Sequence, residues 1–221
     1  MSLCVYAITD TLDGPLGAGP HGAPLRRVGA GRLAAVVSER PRALEPDEDL
    51  LWAHERVVEE LMESATILPL RFGSSVERAE SLTALLEERR EEFLTALERV
   101  RGAVEVGVRA ELPQPEPEGA ARPRGSPGPG TAYLLERARE ERRGREAAEL
   151  VHRPLAALAR RSAPALGPSD PRRFKVAYLV DQGALDAFAS RVTELNAGLA
   201  GAKISCTGPW PPYSFVGEGS S

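Results

Sequence analysis

Between Pro113 and Gly130 the chain carries six prolines and four glycines in eighteen residues, with almost nothing apolar among them. Proline fixes φ and lacks an amide donor, and glycine is disfavoured inside regular elements, so no packed helix or strand is expected to run through this stretch. The expectation is therefore a chain in two parts: an N-terminal domain over 1–112, a linker or exposed loop over 113–130, and a C-terminal domain over 131–221. At 221 residues there is enough chain for two small domains. Only 5% of the residues are aromatic, so both cores must be built mainly from Ala, Leu and Val.

Hydrophobic patterning fills in each part. Leu3–Thr9 reads as a strand, and 10–24 as a loop rich in Gly and Pro. Leu25–Ala30 and Arg32–Glu39 flank Gly31 as a tight hairpin. Asp47 or Asp49 is placed to cap a helix reaching Ser64, with Leu51, His54, Val58, Leu61 and Ala65 on its apolar face. Thr66–Leu70 follows as a short strand, which Pro69 assigns to a sheet edge or bulge. A long helix is expected from Ser74 or Ser75 to Arg101, and then a strand over Ala103–Leu112. In the second part Thr131–Arg161 is helical by composition, and Pro154 predicts a kink or two helices there. Arg173–Val180 reads as a strand, Gly183–Leu199 as an amphipathic helix, and Lys203–Cys206 as the start of a last strand. Strands alternating with helices in both halves indicate two small α/β or α+β units.

Several function classes are disfavoured at this level. The formal net charge of −4 supplies no pull toward nucleic acid or anionic lipid. The run Glu136–Glu146 holds five Arg against four Glu, and mixed signs at helical spacing form ion pairs on a solvated face. Gly17-Ala18-Gly19-Pro20-His21-Gly22 fits a dinucleotide-binding spacing, but Pro20, Pro24 and a following strand replace the helix that spacing requires, so it reads as a loop. The N-terminus lacks the pattern of a signal peptide, and no apolar run approaches the ~20 residues of a membrane span, which predicts a cytosolic protein. Cys4 and Cys206 are expected as free, buried small hydrophobes. His21, His54 and His152 show no zinc spacing. His54, on the apolar stripe of its helix, reads as a hydrogen-bonded core residue, with no nucleophile and orienting acid beside it. No catalytic, cofactor-binding or metal-ligating residue is expected from the sequence.

Two segments are candidates for protein binding. In Leu68-Pro69-Leu70-Arg71-Phe72-Gly73-Ser74 a strand ends in a cation, an aromatic and a glycine. Arg71 either holds a partner's carboxylate or pairs with an acid of its own domain, and the second reading is preferred. In Thr207–Val216 three prolines stiffen the backbone around Trp210, Tyr213 and Phe215. These aromatics either anchor a partner or seal the C-terminal core, and both readings stay open.

The ending Thr207-Gly208-Pro209-Trp210-Pro211-Pro212-Tyr213-Ser214-Phe215-Val216 resembles that of the gas vesicle protein F/L family. In the same order, Tyr6-Ala7-Ile8-Thr9, Leu33–Ser38, His54-Glu55-Arg56-Val57-Val58, Ile67–Gly73 and Tyr178-Leu179-Val180-Asp181 are similar to further family segments. The resemblance implies an α+β fold of two small domains. The C-terminal one is ferredoxin-like, and the N-terminal one is a mixed sheet with packed helices. It also implies a cytoplasmic, vesicle-associated accessory protein without enzymatic activity or cofactor. Its expected partners are the small hydrophobic shell protein and other gas vesicle accessory proteins, with no nucleic acid or membrane. The alternative is a minor structural component of the finished vesicle wall.

Overall fold

The computed structural model describes residues 2–11, 14–40, 47–112, 129–164 and 173–217. By contact density the chain divides into one unit of 1–105 with 209–221 and a second unit of 106–208. This differs from the expected partition at both ends of the C-terminal half. Most of the Pro/Gly-rich segment, 113–128, lies outside the described residues.

The first unit is built on strand β1 (Ser2–Thr9), which is buried from Leu3 to Thr9 and so covered on both faces. β2 (Arg26–Ala30) and β3 (Leu33–Arg40) form the expected hairpin, with Gly31 at φ +62 in the turn, where a side chain would be strained. β4 (Ile67–Pro69) and β5 (Ser75–Val76) both pair with the free edge of β1, giving the order β2-β3-β1-β4 with β5 on the same edge as β4. All these pairings are antiparallel, so the sheet is not of mixed strand direction. Pro69 sits in the edge strand β4, where its missing donor is tolerated.

Helix α1 (Glu48–Ser64) starts at Asp47, whose carboxylate accepts from the Leu50 amide at 2.7 Å. Its buried face is Leu50, His54, Val57, Val58 and Leu61, not the expected set with Leu51 and Ala65. That face packs on Cys4, Tyr6, Val36 and Ile67 of the sheet. The single long helix expected next is two. Ser75 and Val76 are taken by β1 as β5, so α2 (Ala79–Glu88) begins later, and Arg89 at φ −104, ψ 23 separates it from α3 (Arg90–Val100).

The second unit has the element order β6 (Ala103–Glu111), α4 (Pro129–Ala156), β7 (Arg161–Pro164), β8 (Arg173–Asp181), α5 (Leu185–Gly198) and β9 (Lys203–Trp210). Its sheet order is β7-β8-β6-β9. A βαββαβ chain with its first and third strands in the middle is the ferredoxin-like arrangement. Strand β6, expected at the end of the first domain, is therefore the opening strand of the second. The Pro/Gly-rich segment accordingly connects a strand to a helix within one unit. Gly144 does not break α4, and the segment is one helix and not two, with Pro154 in its last turn. The core comprises Val106, Val108 and Ala110 of β6, Val151 and Leu155 of α4, Tyr178 of β8 and Phe188 of α5, with neighbouring aliphatics. Cys206 is exposed on the edge strand β9, contrary to expectation, while Cys4 is buried. No helix among the described residues is long and apolar enough to cross a membrane.

Candidate functional site

The first unit holds all five expected binding residues. Leu70 N donates to the Tyr6 carbonyl at 2.8 Å, and Val5 N to the Ser74 carbonyl at 3.0 Å, so the chain leaves β1 after β4 and rejoins it as β5. The excursion closes with Ser74 N donating to Arg71 O at 3.0 Å, and Gly73 supplies the φ of +90 that the turn requires. Arg71 is carried outward and exposed, and no acid of its own chain pairs with it among the described residues. The preferred internal partner of Arg71 is thus not found, because the turn lifts this side chain off the sheet.

Phe72 turns the other way. Its ring meets that of His54 edge-on at 5.7 Å, and His54 stacks on Tyr6 at 4.9 Å. His54 is 1% exposed and lies 2.8 Å through Nε2 from the Leu70 carbonyl. A carbonyl only accepts, so Nε2 carries the proton and Nδ1 of the neutral ring is an acceptor. Burial lowers the His54 pKa below its ordinary value, outweighing the Leu70 bond and the Glu55 charge, which raise it. Nδ1 is buried with no hydrogen-bond partner, a condition that costs a protein about 1–3 kcal/mol. The Tyr6 hydroxyl is engaged elsewhere, 2.8 Å from Ser38 Oγ. His54 is therefore the core residue expected from the sequence, but only half satisfied.

The C-terminal ribbon answers the question the sequence left open. Phe215 is 5% exposed, and the Arg99 guanidinium donates to its carbonyl at 3.4 Å. Tyr213 packs against the cluster under α1, and its hydroxyl donates to Glu55 Oε2 at 3.0 Å. Burial, with the Glu55 carboxylate adding to it, pushes the Tyr213 phenol above its ordinary range, so it remains a donor. Ser214 is clamped by Glu105, which accepts from its amide at 2.7 Å and its hydroxyl at 2.8 Å. Tyr213 and Phe215 thus seal a core, and it is that of the first unit, not the C-terminal one. Trp210 remains 45% exposed.

Other large apolar side chains are exposed as well, Leu134, Leu135 and Leu150 on α4 and two on α1, where Leu51 was expected to be buried. Trp52 on α1 is 61% exposed, its indole N–H reaching Glu48 Oε1 at 3.3 Å, and Leu51 beside it is 38% exposed. The available signal was the phase of α1: once Leu50 is buried, Leu51 and Trp52 turn outward. Both tryptophans of a chain that has only two are therefore at the surface.

Comparison with known proteins agrees across the chain. A family model described as "Gas vesicle synthesis protein GvpL/GvpF" matches residues 2–217. Gas vesicle protein F of Streptomyces sp. (strain CB03234) is 30% identical over 239 residues, covering 98% of this chain and 100% of its own length. Gas vesicle protein L of the same strain is 34% identical over 248 residues, covering 96% of this chain and 92% of its own. The crystal structure of GvpF from Microcystis aeruginosa matches with a TM-score of 0.79 at 20% identity, over 98% of this chain and 99% of that one, a likeness of fold.

Proposed function

Because the chain belongs to the gas vesicle synthesis protein GvpL/GvpF family, a family of gas vesicle formation, we propose that it is an accessory factor that binds the small hydrophobic shell protein and other accessory proteins during vesicle assembly. It acts by holding proteins and not by catalysis, in the cytoplasm and at the growing vesicle.

The observation that carries this reading is the exposure of both tryptophans, Trp52 at 61% and Trp210 at 45%. Tryptophan offers a large apolar area at small entropic cost and is enriched where binding energy concentrates. A soluble chain with few aromatics gains nothing in its own core from leaving these two outside. A shell subunit must present an apolar face to gas, and a binder with modest apolar anchors keeps such a face from self-association. Arg71, exposed on its turn beside Phe72, supplies a cation free to meet an acidic group of a partner.

Co-expression with the shell protein and with each accessory protein, followed by affinity capture, tests the reading. Capture by the wild-type chain and its loss in Trp52→Ala/Trp210→Ala, at unchanged thermal stability, is expected. Absence of any vesicle protein from the captured material contradicts it.

A further inference from the structure

The face of α1 turned away from the sheet carries an uneven charge pattern toward the helix C-terminus. Trp52, Arg56, Glu60 and Glu63 are exposed there, and Glu59 is half-buried. Helical periodicity sets Trp52, Arg56, Glu59 and Glu63 in one row, with Glu60 beside it. From Trp52 to Glu63 the row spans about 16 Å along the helix axis.

Elsewhere in this chain charged helix faces pair within themselves. Arg137 meets Glu141 and Arg142 meets Glu146 on α4, Arg191 meets Glu194 on α5, and Glu98 meets Arg101 at the end of α3. On α1 none of Arg56, Glu59, Glu60 and Glu63 makes an ion pair among the described residues. Their placement also costs the helix. Glu63 stands four residues after Glu59 and three after Glu60, spacings at which like charges repel. Glu60 and Glu63 lie toward the negative end of the helix dipole, and the last turn holds no base. Glu48 and Asp49, in the first turn, favour the dipole and need no further explanation. The three later carboxylates are thus not placed by the energetics of the fold, and neither is the exposed indole of Trp52.

The pattern selects its occupant. Carboxylates strung along a helix repel nucleic acid and anionic lipid. They do not converge on one point, and no group of three His, Cys, Asp or Glu able to hold a metal ion occurs among the described residues. An extended cationic partner fits them, and Trp52 calls for apolar surface on that partner as well. We propose that this face of α1 docks a basic amphipathic helix of a partner protein. An aliphatic side chain of that helix packs on Trp52, and its Lys or Arg residues meet Glu59, Glu60 and Glu63 two to three turns along. A second helix matches the row because its own side chains repeat at the same spacing. The inference rests on the protein-binding reading above and narrows it to one surface and one partner chemistry.

A synthetic peptide of about 18 residues, with leucines on one helical face and lysines on the other, tests it on the full chain. With Trp210→Phe in place, emission reports Trp52 alone, and peptide binding is expected to shift it to the blue and to weaken as salt rises. Glu59→Gln/Glu60→Gln/Glu63→Gln is expected to weaken the peptide about tenfold, the combined effect of three exposed ion pairs. Glu87→Gln/Glu88→Gln/Glu91→Gln, the same loss of charge at exposed positions of α2 and α3, is expected to leave affinity within about twofold. The α1 variant is expected to melt no lower than wild type, because like charges are relieved. Equal weakening by the two triple variants, an unmoved Trp52 emission or a lower melting temperature of the α1 variant overturns the proposal. Affinity capture separates it from the wider reading. Capture of vesicle proteins that survives in the α1 variant overturns this docking face and leaves the reading standing, whereas no capture by the wild-type chain overturns the reading itself.

Discussion

Each unit of this chain contains a histidine set against a tyrosine and a phenylalanine, and the two clusters end differently. In the second unit the His152 imidazole and the Tyr178 hydroxyl satisfy each other, and Tyr178 sits among Val176, Val180 and Phe188 in a continuous core. In the first unit the Tyr6 hydroxyl turns to Ser38, His54 keeps one nitrogen without a partner, and a cavity lies beside the ring. The same three residue types thus make a closed structural plug in one place and an incomplete wall in the other. The difference lies in where the tyrosine hydroxyl goes, a matter of one hydrogen bond and not of composition.

The contrast is broken or sharpened most strongly by truncating the rings. Tyr178→Ala removes a fully buried side chain and is expected to cost about 3–5 kcal/mol in urea unfolding. Phe215→Ala is expected to fall in the same range, because the ribbon that carries it closes the first core. Phe72→Ala, whose ring borders open space, is expected to cost about 1 kcal/mol; a cost equal to that of Tyr178→Ala removes the distinction between the clusters.

The next effect is pH-dependent and confined to the first unit. Burial holds His54 neutral, so between its lowered pKa and the ordinary 6.5 the unfolded chain binds more protons than the folded one. Stability contributed by His54 is therefore present above pH 6.5 and is lost as pH falls below it. Unfolding midpoints measured from pH 7.5 down to 5 on wild type and His54→Phe are expected to show the larger decline in wild type. Equal slopes would mean that His54 is not the titrating group. Smallest in stability, and most telling for function, are Trp52→Ala and Trp210→Ala, each expected within about 0.5 kcal/mol of wild type.

Much of this was legible in the chain, and the failures have physical reasons. Asp47 was readable as a cap and Gly31 as a hairpin turn because both effects are local. The ferredoxin-like C-terminal part was reached through resemblance, whereas the boundary drawn from composition at the Pro/Gly-rich segment left β6 with the first domain. A flexible composition marks a connection but does not say whether the connection lies between domains or inside one. The outward turn of Leu51 was missed because one residue of helical phase decides it, and Leu50 and Leu51 are chemically alike. The site was less legible than the fold. Trp210, Tyr213 and Phe215 look equivalent in sequence, and only Glu55 and Glu105, distant along the chain, separate the residues that seal from the one left exposed. The unused nitrogen of His54 left no trace in the sequence, since it depends on Tyr6 choosing Ser38.

The central claim, that the chain supports vesicle formation by binding proteins through exposed anchors, is tested most directly by complementation. In cells whose gas vesicle cluster lacks this gene, the wild-type chain is expected to restore vesicles seen by electron microscopy. Trp52→Ala/Trp210→Ala, accumulating to the same level and folded, is expected to fail. Full restoration by the double variant would contradict the account.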